Sequence, residues 1–450
     1  MKHKTLTILV ISLLSANVVL ADSTSTNPAA PLASWLVTNS IPATNEITLD
    51  EFLNEVAEAN LDYAAQRYNV DIAKAAVAIA REFQNPTLNL GDSHELRFAG
   101  RYVNGVDQSE PEALNVGIAQ TIPIGGKRKW GIRMATQNYH SAAATLDDFV
   151  RNLKLNASEA FVGALAAQRE LEQQHKTTDY LRQLVAVQDH RFKAGDIGET
   201  DLTQSRVDEL QSESDLLNAE NDAQVTQLNL NNFLGRDRGQ TTFILRGKLE
   251  LEPRSFDLSQ LIENALQTRP DLVALRHARD GAQSGVHLAK ANRIPDPTVG
   301  VGYTYSTATE NFVNPTPQMD YLGVSLSFQL PLWNRNKAEI TTARSVAEQT
   351  QKQVESAELK AEVQVRESFN TYQLMQERVQ KFQSETLKGA DDVLAAKRFS
   401  YEHGNSTLDD LLMAQSADND VHQAYNSALA DAANALMELE RAAGLWDVKF

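Results

Sequence analysis

The chain has 450 residues, of which 42% are hydrophobic and only 7% aromatic, and it contains no cysteine. The lack of cysteine excludes disulfides, thiolate metal sites and a cysteine nucleophile. The formal net charge of −17 argues against a nucleic-acid partner, which needs a clustered basic face, and fits either simple solubility or a conduit that concentrates cations.

The N-terminus is typical of a secretory signal peptide. Lys2 and Lys4 form a basic head, and the apolar segment 6–14 is too short to span a bilayer. Small residues precede the expected cleavage point, so we predict a signal peptide at residues 1–21. Residues 22–45 are rich in Ser, Thr, Pro and Ala, and we expect them to form a leader that is flexible unless it becomes ordered on binding.

The rest of the chain repeats itself at a nearly constant interval. Four short patterns recur with offsets of 211, 208, 209 and 209 residues. They are Asn85-Pro86-Thr87 with Asp296-Pro297-Thr298, Pro123-Ile124 with Pro331-Leu332, Phe192 to Gly195 with Tyr401 to Gly404, and Phe233 to Gly235 with Ala442 to Gly444. Since chance matches would scatter, we predict two copies of one unit at 46–235 and 256–444. A linker or equatorial segment at 236–255 and a C-terminal tail at 445–450 complete the division.

Each copy is predicted to open with helix, at Leu49–Phe83 and Leu258–Ala291, which ends before an Asn-Pro or Asp-Pro pair. Apolar residues then alternate with small or polar ones along Thr298–Ser306 and Leu322–Leu330, and around Val116 in the first copy. This period of two over about nine residues predicts strands, either tilted membrane strands or part of an ordinary half-buried sheet. The signal peptide and the long helices favour the membrane interpretation.

The longest helical run follows each predicted strand pair. Apolar residues keep a 4-3 spacing along Leu146–Phe192 and, with a slip near Val365, along Ala343–Ala396, which predicts coiled-coil packing. A helix over Arg128–Arg191 would be about 95 Å long, too long for a compact globule. Four strands per chain cannot close a membrane barrel, because the smallest single-chain barrels have about eight strands, whereas three chains would supply twelve.

On these residues the chain resembles the TolC-type outer-membrane efflux proteins, over about residues 46–444. The resemblance rests on the duplicated unit, on the run QTIPIGGKR at 120–128 between strand and helix, and on the paired turns at 191–201 and 401–410. It implies a mixed α+β, mainly α chain that contributes four strands to a trimeric 12-stranded membrane barrel, continued by a long coiled-coil α-helical periplasmic tunnel. The segment PIGGKR is most similar to the CzcC-type heavy-metal-resistance branch.

The resemblance implies a passive channel and not an enzyme. Such a homotrimer lies in the outer membrane of a Gram-negative bacterium and completes a tripartite, RND-type pump with a periplasmic adaptor (membrane fusion) protein and an inner-membrane transporter. The expected cargo is a heavy-metal cation such as cobalt, zinc or cadmium, and drugs, solvents or other organic molecules are the alternative. A periplasmic coiled coil without a pore is the remote alternative. We expect no cofactor and no metal site, because the chain has no nucleotide-binding loop and its histidines are dispersed.

By the same resemblance, the two turns are periplasmic tips where the tunnel narrows and the adaptor docks. The tip residues are Gly195, Asp196 and Ile197 in the first turn and Gly404, Asn405 and Ser406 in the second. The glycines are equally explained as ordinary helix C-caps. The predicted gate or constriction consists of Asp201, Tyr401, Asp409 and Asp410. Carboxylates that face the lumen of a trimer would form rings, raise one another's pKa and attract cations; solvated surface acids are the alternative.

The predicted junction between barrel and tunnel contains Gly125, Gly126, Lys127 and Arg128. Cations at a helix N-terminus are disfavoured by the helix dipole, so we expect a partner that offsets them. Outer-membrane lipid head groups or lipopolysaccharide phosphates are one such partner. A solvated charge run is the other interpretation.

Overall fold

The computed structural model describes residues 46–93, 102–103, 106–107, 112–235, 243–247, 249, 253–308 and 317–445. These residues belong to one compact unit. The predicted signal peptide, the leader, part of the linker and the tail beyond Leu445 lie outside them. No helix in this part of the chain is both long enough and apolar enough to cross a membrane.

Two helices, a strand pair and a long helical hairpin follow one another twice along the chain. The elements are β1 (Glu46–Ile47), α1 (Leu49–Ala59), α2 (Leu61–Arg81), β2 (Thr87–Ser93), β3 (Tyr102–Val103), β4 (Val106–Asp107), β5 (Ala113–Thr121), α3 (Lys127–Ala194), α4 (Glu199–Phe233), β6 (Ile244–Leu245), α5 (Leu258–Thr268), α6 (Pro270–Ala291), β7 (Thr298–Ser306), β8 (Met319–Ser327), α7 (Lys337–Lys381), a π-helical segment (Phe382–Thr386), α8 (Leu387–Glu402) and α9 (Leu408–Ala443).

The opening helical stretch of each copy is broken, where the sequence predicts one continuous helix. Asn60 separates α1 from α2, and Arg269 separates α5 from α6. The Asn60 side chain accepts a hydrogen bond from the Tyr63 N–H (2.9 Å), which caps α2. Pro270 starts α6, a position that suits proline because the first helical N–H needs no partner. These capping residues lie within stretches whose apolar residues keep a helical period. The period alone therefore predicts one continuous helix.

The central sheet is antiparallel, with the strand order β2-β5-β7-β8. The predicted strand Thr298–Ser306 is confirmed as β7, whereas β8 begins and ends three residues earlier than predicted. The ladder ends where Ser327 pairs with Thr298, because the preceding Pro297 has no N–H with which to extend it. Short parallel pairing of β1 with β6 joins the chain before α1 to the segment after α4.

The register of the sheet places apolar residues of all four strands on one face. Leu88 of β2 pairs with Ile118 of β5, Ile118 pairs with Val301 of β7, and Val301 pairs with Val324 of β8. The large apolar side chains on this face are exposed, and they are Leu88, Leu90, Leu114, Val116, Ile118, Val299, Val301, Tyr303, Leu322, Val324 and Leu326. The chain itself therefore leaves one whole face of the sheet apolar and uncovered.

The predicted long helix is confirmed and extends further than predicted. With 68 residues, α3 is about 100 Å long. Its seam is buried at Val150, Ala157, Ala164 and Leu181, while Phe192 at the end of the seam remains 39% exposed. The main core lies where α3 packs with α1, α5, α7 and α9.

The backbone of the second seam is irregular at a place that the sequence pattern does not mark. Val365, where the sequence suggests a slip, is fully buried within a regular part of α7. The irregularity is the π-helical segment Phe382–Thr386, which joins α7 to α8. A π-turn adds a residue to the helix and changes the direction in which the following side chains point. This insertion is the reason that the apolar spacing changes between Phe382 and α8.

Candidate functional site

Both helical hairpins turn through glycines with left-handed backbone. Gly195 has φ 84° and Gly404 has φ 74°. After the first glycine, the Asp196 N–H donates to the Arg191 carbonyl (2.9 Å), and the Asn405 N–H donates to a carbonyl of α8 in the same way (2.8 Å). These bonds satisfy the ends of α3 and α8, so capping alone accounts for the two glycines.

Tyr401 connects the two hairpins close to their turns. Its hydroxyl accepts hydrogen bonds from Gln188 Nε2 and from Arg191 Nη1, the latter at 3.0 Å. The Arg191 guanidinium also lies 5.5 Å from the centre of the Tyr401 ring. Since Gln188 is completely buried, this network forms part of the packing between α3 and α8. The phenol therefore joins the first hairpin to the second within one chain.

A small apolar cluster supports the Tyr401 network. Leu181 and Leu184 of α3 pack with Leu394 of α8 and with Leu408 and Leu411 of α9. All five side chains are buried. The ends of the two hairpins are thus held together by a core of their own, separate from the main core.

Asp410 caps a helix in the structure. Its carboxylate accepts hydrogen bonds from the Ser406 hydroxyl (3.0 Å) and the Thr407 N–H (3.4 Å), and its own N–H donates to the Thr407 hydroxyl (3.2 Å). Lys397 Nζ lies 3.4 Å from the carboxylate. The bond from Ser406, followed by those from Thr407 and the charge of Lys397, lowers the pKa of Asp410. Within one chain the shift is therefore opposite to the rise expected of a carboxylate ring.

The other predicted gate and tip residues lie at the surface. Asp201 and Asp409 are exposed in the first turns of α4 and α9, where the helix dipole favours acids, and neither makes an ion pair with another described residue. Of the tip residues, Ile197 and Ser406 are partly buried, and the exposed ones are Gly195, Asp196, Gly404 and Asn405. Of the four gate residues, only Tyr401 and Asp410 therefore have side-chain hydrogen-bond or ion-pair partners among the described residues.

At the junction, Lys127 has an acidic partner inside the chain. Gly126 (φ 79°) precedes α3, and Lys127 Nζ lies 2.8 Å from Asp296 Oδ1. The same carboxylate oxygen accepts a hydrogen bond from the Ile124 N–H (2.9 Å). Gly125 (φ 71°) packs so closely that a Cβ there would lie 3.3 Å from Ile294. The two glycines thus allow the chain to leave the sheet beside Asp296.

Arg128 also has partners inside the chain. Its Nη2 donates to the Arg81 carbonyl at the end of α2 (2.6 Å), and its guanidinium lies 4.3 Å from the centre of the Phe83 ring. A cation is favoured at the C-terminal end of a helix, so α2 offsets the unfavourable start of α3. Asp296 and the end of α2 therefore give Lys127 and Arg128 partners within the chain, in addition to the lipid phosphates or solvent that the sequence suggests.

A cavity of about 810 Å³ lies next to this junction. Its walls include Lys127, Asp296, Phe328 and Trp333. Trp333 is 93% exposed, although an indole of that size is usually covered by protein or by a membrane interface. Sequence reasoning did not single out Trp333; its place just after a strand and before a helix was the available signal.

The structure also brings Asp391 of α8 next to two polar residues of α9, Asp418 and His422, that lie one helical turn apart. One ligand atom each from Asp391, Asp418 and His422 lies within 4.8 Å of the other two. The sequence shows the histidines as dispersed, and the packing of α8 on α9 brings His422 beside the two carboxylates. This cluster was therefore missed at the level of sequence.

A sheet open at both edges and joined to helical hairpins about 100 Å long is typical of a subunit of a membrane-anchored duct. The sequence model of the outer membrane efflux protein family matches residues 52–236 and 261–445. The chain belongs to this family. Family membership confirms the prediction of an outer-membrane efflux protein that is not an enzyme.

Two relatives and a solved structure illustrate the similarity. The cobalt-zinc-cadmium resistance protein CzcC of Cupriavidus metallidurans is 23% identical over 407 residues, covering 90% of this chain and 91% of CzcC. The outer membrane protein TolC of Vibrio cholerae is 24% identical, with 88% and 90% covered. The CmeC outer membrane channel of Campylobacter jejuni has the same fold, with a TM-score of 0.74, 13% identity and coverage of 88% of this chain and 85% of CmeC.

Proposed function

We propose that the chain is one subunit of a homotrimeric, passive outer-membrane export channel. The observation that carries the proposal is the sheet with two open edges. Among the described residues, β2 and β8 each pair on one side only, and the apolar side chains on β8 are 65–79% exposed at Leu322, Val324 and Leu326. Open apolar edges are prone to pair with another chain. Three sheets joined β8 to β2 would form a closed barrel of twelve strands.

The exposed apolar face of this barrel would contact lipid. An apolar band bordered by aromatic residues is the outer surface expected of a membrane barrel. Phe328 and Trp333 follow β8, are 55% and 93% exposed, and would mark the inner membrane interface. Lipid contact is thus assigned to the aromatic residues, while Lys127 and Arg128 serve the connection between barrel and tunnel.

The helices would continue the barrel as a periplasmic tunnel. Large apolar residues of α2 recur on one side of the helix and are at least 67% exposed; they are Leu61, Tyr68, Ile72 and Ile79. A helix face that its own chain leaves uncovered in this way suits packing against a neighbouring copy. The repeated order of elements supports a division into units 46–235 and 256–444.

The hairpin turns would point away from the membrane and meet the other parts of a tripartite, RND-type pump. The turns at 195–197 and 404–406 would dock a periplasmic adaptor protein, which connects the channel to an inner-membrane transporter. Asp201, Asp409 and Asp410, braced by Tyr401, would form the constriction at this end. The proposed location is the outer membrane of a Gram-negative bacterium, with the helices in the periplasm.

The proposed cargo is a heavy-metal cation such as cobalt, zinc or cadmium. The relative CzcC, which aligns with 90% of the chain, is named for resistance to these three metals. Organic molecules are the second candidate, because TolC aligns over almost the same length. Deletion of the gene should raise sensitivity to the three metals more than sensitivity to dyes and detergents. The reverse pattern would transfer the proposal to organic cargo.

Single-channel conductance in planar bilayers tests the channel and its constriction together. The purified wild-type protein should form discrete ion-conducting channels, and Asp410→Ala should conduct more because α9 loses its cap and the constriction is held less tightly. Asp222→Ala, which changes an exposed acid in the middle of α4, is the matched control and should conduct like wild type. Wild-type conductance in Asp410→Ala would refute the gate. A wild-type protein without conductance would favour the coiled coil without a pore.

A further inference from the structure

Three side chains on the second hairpin have the arrangement of a metal site that the channel does not require. Asp418 and His422 lie one helical turn apart on α9, and Asp391 approaches them from α8. His422 Nε2 is 3.2 Å from Asp391 Oδ1 and 3.9 Å from Asp418 Oδ1. The hairpin thus places one imidazole and two carboxylates around a single point.

Asp418 distinguishes this cluster from ordinary surface acids. It is only 6% exposed, and its Oδ1 accepts no hydrogen bond. A buried carboxylate without a hydrogen-bond donor is costly, so such groups are usually paired or coordinate a cation. The oxygen that lacks a donor is the one that faces His422. Asp418 Oδ1, which accepts no hydrogen bond, therefore points into the cluster.

The nearby arginine has other partners. Arg398 influences Asp418 electrostatically, yet its guanidinium lies 3.9 Å from the centre of the Tyr180 ring and donates to Gln415 Oε1 (2.8 Å). Asp391 adds a second negative charge to the cluster. With a neutral imidazole, the three side chains carry two negative charges, which a divalent cation would balance.

We propose that Asp391, Asp418 and His422 bind a divalent transition-metal cation of the Zn²⁺ or Co²⁺ type. One imidazole nitrogen and two carboxylate oxygens are a donor set that such ions accept. With metal–ligand bonds of about 2.0–2.2 Å, tetrahedral ligand atoms lie roughly 3.4 Å apart. The observed separations of 3.2 and 3.9 Å lie on either side of this value. The three protein ligands leave a fourth position for water.

The cation would hold the two arms of the hairpin together. Asp391 belongs to α8, whereas Asp418 and His422 belong to α9, so one ion would cross-link the helices roughly 16–22 Å from the turn at 1.5 Å per residue. Asp391 and His422 are partly open to solvent, which allows an ion to enter. This inference goes beyond the proposed function and holds whatever cargo the channel carries.

Isothermal titration of the full chain in detergent, without a polyhistidine tag, tests the site with Zn²⁺ alone. We expect one Zn²⁺ per chain, and an affinity at least about tenfold lower in Asp418→Asn and in His422→Gln. Asp392→Asn and His190→Gln change an acid and a histidine outside the cluster and should bind like wild type. Zn²⁺ should also raise the melting temperature of wild type but not of the cluster variants.

Each result decides the proposal. A wild-type chain that binds no Zn²⁺, or cluster variants that bind it like wild type, would overturn the site. Equal affinity for Ca²⁺ would overturn the assignment to a transition metal. A chain that binds Zn²⁺ here without conferring zinc tolerance would refute the metal cargo and leave the site intact.

Discussion

At the scale of single residues, Tyr401 is both a predicted gate residue and the acceptor of hydrogen bonds that join the two hairpins. The Tyr401 hydroxyl accepts two hydrogen bonds from α3, one of them from the buried Gln188. The bond is local, but its partners lie more than 200 residues before Tyr401 in the chain. Loss of this hydroxyl should therefore weaken the packing of the second hairpin against the first. It should not act on the stability of either turn alone.

Removing the Tyr401 hydroxyl should loosen this connection. Tyr401→Phe leaves Gln188 without its acceptor, and we expect the free energy of unfolding to fall by about 1–3 kcal/mol. Channels formed by the variant should also stay open longer in planar bilayers, because the hairpin ends separate more easily. Tyr139→Phe is the control, since the Tyr139 hydroxyl has no hydrogen bond recorded among the described residues. Equal melting temperatures and equal channel open times in Tyr401→Phe and Tyr139→Phe would contradict the proposal that the Tyr401 hydroxyl holds the hairpin ends together.

The cap formed by Asp410 should make stability depend on pH. The pKa of this carboxyl is lowered by Ser406, Thr407 and Lys397. Its contribution to stability is therefore fully present above the ordinary pKa of 3.8 and is lost as the pH falls through the lower, folded-state pKa. Wild type should melt above Asp410→Asn at pH 7, and the difference should shrink below about pH 4. Asp409→Asn changes the neighbouring exposed acid, which does not form the cap, and is the matched control.

At the scale of secondary-structure elements, capping residues decide where the long helices begin. Asn60 caps α2 through its side-chain oxygen, while its amide donates to the Phe233 carbonyl at the end of α4 (3.1 Å). Arg269 and Pro270 make the equivalent break in the second copy. The two breaks lie 209 residues apart, the same interval as the repeated sequence patterns.

Replacing this cap should destabilise the first copy. We expect Asn60→Ala to lower the free energy of unfolding by about 1–2 kcal/mol, because α2 loses its cap and Phe233 loses a donor. Asn69→Ala, at an exposed position within α2, is the matched control and should melt at or above the wild-type temperature, since alanine is the better helix former. Thermal melts followed by circular dichroism measure both variants. An equal loss of stability in Asn60→Ala and Asn69→Ala would contradict a capping role for Asn60.

The π-helical segment shows how a local irregularity escapes detection from the sequence. Tyr425 of α9 accepts a hydrogen bond from Gln383 within the segment, and its ring packs on Phe382. The extra residue of the π-turn is accommodated by these contacts with another helix. A sequence pattern reports only a change of apolar spacing, and the slip near Val365 lies within regular α-helix, so the pattern alone did not locate the π-helical segment.

At the scale of the whole molecule, one face of the sheet and one face of α2 are apolar and uncovered. A single chain does not bury them, and a closed trimer in a membrane would. The proposed orientation assigns the face of Val324 to lipid and the face of Ser325 to the lumen. Neighbouring residues of one strand therefore provide a direct test of the assembly.

A charge on the two faces should have different consequences. Val324→Arg should lower the free energy of unfolding in lipid vesicles by about 2–4 kcal/mol, the cost of a charge near the centre of a membrane barrel. Ser325→Arg carries the same charge on the opposite face of β8 and should cost less. The fraction of protein that folds and trimerises after reconstitution, seen as a heat-sensitive band on a gel, measures both. A greater loss for Ser325→Arg would reverse the assigned faces.

Much of the fold was accessible from local patterns. Alternating apolar residues identified β7, the 4-3 spacing identified α3, and the turn glycines marked the ends of the hairpins. These features depend on residues within a few positions of one another, because strand period, helix period and capping are local properties of the backbone. The constant offset also indicated the repeat without any structural information.

The contacts that define the candidate sites depended on tertiary structure alone. Lys127 meets Asp296, and Tyr401 meets Gln188, across distances of more than 160 residues in the chain. Asp391 meets His422 because α8 and α9 pack side by side. The sequence by itself determined the long helices, strand β7 and the repetition of the unit, since each follows from neighbouring residues. Only the packing of the long helices decided which side chains meet, because a small change in their register would bring other residues together.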